Sequence, residues 1–317
     1  MYSNSFYKIS NNFNFSKIIS IYIVVIGHYF GGVLWIPTAV SLFIFAFSSG
    51  FFTATRYRGQ FKYKKYWIAK INRLLCPLII INLFLLTLFL LQGRNGIFIW
   101  QTIPTILSLG GFFNWFHIPN PSPFGHGLWF FTLLIIFYAV YPILSIIYVD
   151  FYKATMLTIS VLFSSFLGHF FLPMGHMLWL TIFGFVFGVY SSFWRQKWSE
   201  LICYMPIMLV FLLSSILILN VIFHFNNFNY ILLLMVCISA VETIMLYDIK
   251  FFLPNSLIHF LTGCIIYIYF IHTYLFVKNF TGICLIDFIL SVTVITICGS
   301  IMHYIAIKKC SGIVFGR

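Results

Sequence analysis

Residues 17–30 read KIISIYIVVIGHYF: ten uncharged, mostly apolar residues separate a lysine from a histidine. A run this apolar belongs in a core or a membrane, where an imidazole needs a reason to be present. Lys17 and His28 are eleven positions apart. At about 100° per residue they return to within roughly 20° of the same helix face, and at ~1.5 Å rise they stand about 16 Å apart. The expectation is one helix face that carries a cation at the membrane edge and a histidine near mid-depth.

Composition generalises that local reading. Hydrophobic residues make up 62% of the chain and charged residues 7%, well outside the range of a soluble domain. Apolar runs of about 20 residues recur along the chain, the length that crosses a hydrocarbon core. Helices satisfy their own backbone polar groups in lipid, so the fold class is all-α, a polytopic membrane protein of about ten transmembrane helices in a single domain over residues 1–317. The expected spans are 16–36, 38–55, 74–92, 127–148, 154–173, 176–194, 204–224, 229–247, 256–277 and 285–307. The first is long and lacks a small-residue cleavage site, which reads as a true span and not a removable signal peptide. Residues 93–126 are rich in Gly, Pro and Asn and too punctuated to span, so a loop or re-entrant segment is expected there.

Charge placement sets an orientation. With both termini cytoplasmic, all Lys and Arg residues except Arg94 and Lys278 fall at or near cytoplasmic helix ends, as the positive-inside rule expects. The densest cluster, Arg56, Arg58, Lys62, Lys64, Lys65, Lys70 and Arg73, lies between the second and third spans. The net charge of +13 is explained by this topology signal and by anionic lipid, so nucleic acid is not an expected partner. The seven cysteines include no CxxC pair, and neither a metal site nor a disulfide framework is indicated.

Several embedded or flanking residues are candidates for chemistry. His28 serves either as a structural hydrogen-bonding histidine or as a base that accepts a hydroxyl proton. In KKYWIAKINRLLCP, residues 64–77, Lys70 and Arg73 are three apart and share a helix face just before Pro77. They read either as interfacial cations or as a phosphate clamp. FAFSSG, residues 45–50, offers Ser48, Ser49 and Gly50, which permit close helix approach. PFGHGLWFF, residues 123–131, places His126 and Trp129 at the start of the fourth span, where an aromatic-belt tryptophan is also expected. Glu242, ahead of Asp248, is suited to neutralise a cation, and His272 lies in YIYFIHTYLF.

The order of these pieces resembles the acyltransferase-3 family of integral-membrane acyltransferases. The resemblance runs over nearly the whole chain. It rests on a cation with a histidine eleven later, the Ser-Gly segment, the basic pair before R-L-L-x-P, H-x-L-W-F, and a late I-x-x-I-H ending at His272. Lys17 stands where the family usually has arginine, Lys70 replaces the first of two basic residues, and an extra glycine separates His126 from Leu128.

What the resemblance implies is an O-acyltransferase, most simply an O-acetyltransferase, of the bacterial cytoplasmic (inner) membrane. It would move an acetyl group from cytoplasmic acetyl-CoA to a hydroxyl of a lipid-linked or polymeric envelope saccharide such as O-antigen, capsule or exopolysaccharide. By that implication His28 and Lys17 are catalytic, Lys70 and Arg73 hold the donor, and Ser49, His126 and Trp129 hold the substrate, without a metal. The alternative is a transporter or flippase of a lipid-linked saccharide, for which paired halves or broken helices are expected. No such internal symmetry is visible.

Overall fold

The computed structural model describes residues 2–58, 61–125, 129–172, 176–223, 228–247 and 254–314. Ten of its helices are long and apolar enough to cross a membrane. In chain order they are α1 (Tyr2–Phe30), α2 (Trp35–Tyr57), α3 (Tyr63–Leu91), α4 (Trp129–Ile147), α5 (Phe151–Phe171), α6 (His176–Trp194), α7 (Met205–Phe223), α8 (Phe228–Leu246), α9 (Asn255–Ile271) and α10 (Cys284–Val314). Among the described residues there is no strand. Every span expected from hydropathy has its helix.

The first span is shifted, and the shift matters. Hydropathy carries it over 16–36, whereas α1 stops at Phe30 and begins far upstream. Gly31 and Gly32 both adopt positive φ, +67° and +60°, a conformation that ends a helix and that glycine alone adopts without strain. The Gly31 amide closes the last turn on the Gly27 carbonyl at 2.9 Å. Upstream, the polar stretch around SNNFNF is helical because its polar groups find distant partners. Asn12 is 1% exposed, and its amide donates to the carbonyls of Ile244 (2.9 Å) and Tyr247 (2.6 Å) at the end of α8. Those are orphan carbonyls of a helix terminus, so one side chain supplies what the backbone lacks there.

α3 likewise starts at Tyr63, a full eleven residues ahead of the expected 74, so Lys64, Lys65, Lys70 and Arg73 of the basic cluster are helical. Pro77 is tolerated inside α3, and Cys76 beside it is disulfide-bonded, which the scattered cysteine spacing does not announce. Residues 93–125 form no span, as expected. They fold into two short helices, Thr102–Ile106 and Gly111–Trp115, and a 3-10 turn at Pro123–Gly125. The segment is pinned by buried hydroxyls: Thr102 with Ser122 at 2.8 Å, and Thr132 donating to the Ser108 carbonyl at 2.7 Å.

The chain divides into two compact units. The first comprises Met1–Gln60 and Val140–His259, the second Phe61–Ala139 and Phe260–Arg317. In the first, α2 packs most extensively on α6. A Cβ on Gly50 would collide with the Phe185 carbonyl oxygen, and one on Gly188 with the Phe47 carbonyl oxygen. Reciprocal glycines thus let the two backbones touch, the packing that lipid-embedded helices rely on when hydrophobicity cannot drive them together. Phe43, Phe47 and Phe51 recur every fourth residue on α2 and stack on one another, with Phe13 of α1 stacked on Phe47 at 5.7 Å. In the second unit α3 packs on α10, and α9 meets α10 where a Cβ on Gly263 would strike the His303 ring.

Candidate functional site

In the first unit, α1 and α2 form an antiparallel hairpin whose register is read from its contacts. Gly27 abuts Thr38, and Phe13 stacks on Phe47 and Phe51. At that register Lys17 lies level with Ser48 and Ser49, and His28 lies level with Pro37 and Thr38. Lys17 is half-buried, with its ammonium 5.7 Å from the Phe52 ring. Ser48 is 3% exposed and donates to the Phe45 carbonyl at 3.0 Å, while Ser49 is half-buried.

His28 occupies the last turn of α1 and is exposed. Along α1, then, the cation stands at mid-helix and the histidine in the last turn. Both lie within Phe6–Phe30, the part of α1 long and apolar enough to cross a membrane. The eleven-residue interval is intact on one unbroken helix, and the two groups keep their ~16 Å axial separation.

In the second unit the basic pair on α3 splits. Lys70 is 6% exposed. Its ammonium lies 3.8 Å from the Tyr138 ring centroid and 5.5 Å from that of Tyr66. Tyr66 is fully buried, and its hydroxyl donates to the Tyr138 carbonyl at 2.8 Å, which locks the two rings together. Arg73, one turn on, is exposed. A spacing of three leaves about 60° between the side chains, enough for one to enter the helix interface and the other to leave it. The expected shared face is not a shared environment.

Trp129 opens α4 half-buried, its ring edge-on to Phe130 at 6.0 Å, and a Cβ on Gly111 would press against its backbone. His126, like Asp248, lies outside the described residues. His272 is 2% exposed, with Nδ1 2.6 Å from the Tyr269 carbonyl oxygen. A carbonyl only accepts, so Nδ1 carries the hydrogen, and in the neutral ring Nε2 holds the lone pair. Glu242 pairs with Arg195 at 2.8 Å, the cation neutralisation expected of it. Sequence alone did not name Arg195 as its partner, nor Tyr66 and Tyr138 as the cage of Lys70. Only Tyr66, four residues before Lys70 on the same helix face, left a local signal.

An apolar cleft of about 780 Å³ lies in the second unit between α3 and the 97–107 segment, lined by residues such as Leu75, Leu83, Trp100, Ile106 and Phe124. It has no ionisable lining residue, so it suits hydrocarbon and not acid–base chemistry. Among the described residues no group of three or more His, Cys, Asp or Glu side chains is placed to hold a metal ion.

Residues 10–307 match a family model described as an acyltransferase domain. Neither a curated protein nor a solved structure shows a significant match to the chain.

Proposed function

Because the chain belongs to the acyltransferase-3 family and is thus an acyltransferase carried on membrane-spanning helices, we propose that it moves an acetyl group from acetyl-CoA to a hydroxyl of a cell-envelope saccharide. In this reading both termini are cytoplasmic, the protein sits in the bacterial inner membrane, and the donor arrives at the basic helix ends. The acceptor, lipid-linked or polymeric, arrives at the opposite mouth.

The observation that carries the reading is the unbroken α1, with a half-buried cation at its middle and a histidine in its last turn. His28 at the far mouth suits a general base for an external hydroxyl. The acceptor oxygen forms a bond to the acetyl carbonyl carbon and the carbon–sulfur bond of the thioester breaks. The hydroxyl proton passes to the imidazole and then to the departing CoA thiolate. Transient acetylation of His28, followed by transfer to the hydroxyl, uses the same groups in two steps. Lys17, about 16 Å away along the helix, serves a different part of the substrates, as a positioning cation. Lys70 and Arg73 bind donor phosphates, and Ser49, His126 and Trp129 contact substrate.

The test compares envelope polysaccharide from cells with the gene, without it, and with His28→Ala as the sole copy. The expected result is a base-labile ester of acetyl mass that is present only with the unmodified gene. Equal ester in all three strains would overturn the proposal.

A further inference from the structure

We infer that the first unit holds a phosphate-binding site built on Arg195 and Ser192, an inference that rests on the donor reading above only for one of its two possible phosphate sources. α6 ends at Trp194, and residues Arg195–Trp198 form a 3-10 turn. Two indoles fix that turn: Trp194 Nε1 donates to the Tyr148 carbonyl at 3.0 Å, and Trp198 Nε1 to the Tyr190 hydroxyl at 3.1 Å. Arg195 is therefore held before any ligand arrives.

Its guanidinium is only partly used. Nε donates to Glu242 Oε2 at 2.8 Å, and Glu242 is 4% exposed on α8. Nη2 is buried and has no hydrogen-bond partner among the described residues. Three residues earlier, on the same face, Ser192 Oγ is also buried without a partner. The Ser192 carbonyl accepts from Arg58 Nη1 at 3.2 Å, and Lys197 lies 3.9 Å from the Phe151 ring. Arg58 on the Ser192 carbonyl and Lys197 two residues beyond Arg195 thus add two cations to this end of α6, where the carboxylate paired with Arg195 is that of Glu242. Of the other acids on neighbouring elements, Asp150 is occupied as the N-cap of α5, where it accepts from the Lys153 amide, and Glu200 is exposed.

A buried donor left unmade is costly, and a charged one more so. A guanidinium edge with a hydroxyl one turn away, in a surplus of positive charge, matches a tetrahedral oxyanion that takes several hydrogen bonds at once. Glu242 orients the fork by its Nε edge and leaves the other edge for the ligand. The phosphate belongs either to CoA or to the headgroup of an anionic lipid.

The experiment uses the full chain in nanodiscs. Arg195→Lys retains the charge and a contact to Glu242 but loses the fork, and Ser192→Ala removes only the hydroxyl. CoA binding is measured by calorimetry in phosphatidylcholine discs, and thermal unfolding is compared between phosphatidylcholine and phosphatidylglycerol discs. If CoA supplies the phosphate, Arg195→Lys weakens CoA binding about ten-fold or more and Ser192→Ala several-fold. If lipid supplies it, both variants bind CoA normally but lose the extra thermal stability that phosphatidylglycerol confers on the wild type. Unchanged CoA affinity together with an unchanged lipid increment overturns the site, and Ser192→Ala alone decides this should Arg195→Lys not fold. A wild type that neither binds CoA nor transfers acetyl sinks the donor reading instead, while the lipid comparison still judges the Arg195 site.

Discussion

The ammonium of Lys70 lies 3.8 Å from the centre of the Tyr138 ring. A lysine at 6% exposure loses most of its hydration, and an aromatic face returns part of it, on the order of 0.5–2 kcal/mol. Lys70→Met keeps the length and removes the charge. The half-saturating acetyl-CoA concentration should rise about ten- to a hundred-fold, the equivalent of ~1.5–3 kcal/mol. Tyr138→Leu should raise it only a few-fold. A Lys70→Met enzyme with unaltered donor dependence would show that the caged lysine is structural.

Arg73 offers a contrast because it is exposed on the same helix. If it binds donor phosphate, Arg73→Ala should raise the donor requirement, while neutralising the exposed Lys64 and Lys65 together should barely change it. Steady-state kinetics over a range of acetyl-CoA concentrations separates the cases. Equal effects from both changes would mean a diffuse field of basic residues and no clamp at Arg73.

For α1 the expected pattern is graded. His28→Ala should abolish ester formation with normal membrane levels of protein. Lys17→Arg should retain most activity and Lys17→Ala lose much of it, because the half-buried position calls for a cation. Near-normal acetylation by His28→Ala would return that histidine to a structural role. Insertion must be verified in the Lys17 variants, since flanking charge also steers topology.

The glycines after α1 should matter to His28 through geometry alone. At φ of +67°, Gly31 would cost about 1–2 kcal/mol on conversion to alanine. The relief available to the chain is to prolong α1 and swing its last turn. Gly31→Ala should therefore reduce acetylation by more than Gly31→Asn, which tolerates the left-handed region better. Equal loss from the two substitutions would detach His28 from this turn.

Gly50 tests the packing beneath the site. With the Phe185 backbone against it, Gly50→Ala forces α2 and α6 apart, and overpacking of this kind costs ~1–3 kcal/mol. The melting temperature in detergent should fall clearly, whereas Ser49→Ala, one position earlier and half-buried, should leave it nearly unchanged and affect turnover only if the hydroxyl meets substrate. A Gly50→Ala protein as stable as the wild type would contradict the close crossing.

Much of this architecture was legible in the sequence. The Lys17–His28 interval, the Ser-Gly segment as a packing device, the non-spanning character of 93–126 and the need of Glu242 for a cation all follow from local spacing and polarity. The ends of α1 were not legible by hydropathy. Averaging over a window passes straight across Gly31 and Gly32, whose effect is conformational, and discounts Asn12, whose polarity is satisfied only by carbonyls 232 and 235 residues away.

Ten spanning helices and, among the described residues, no strand were determined by the sequence itself, because in lipid every backbone amide and carbonyl must be paired and a helix alone pairs them within a single apolar run. What only the tertiary structure decided is where along those helices the ionisable groups stand and what meets them: Lys17 at the middle of α1, Lys70 inside a tyrosine cage while Arg73 stays exposed, Arg195 held by Glu242. A buried charge is stable only beside a compensating partner, and such partners, like Arg195 and Glu242 at 47 positions' separation, become neighbours only when the helices pack.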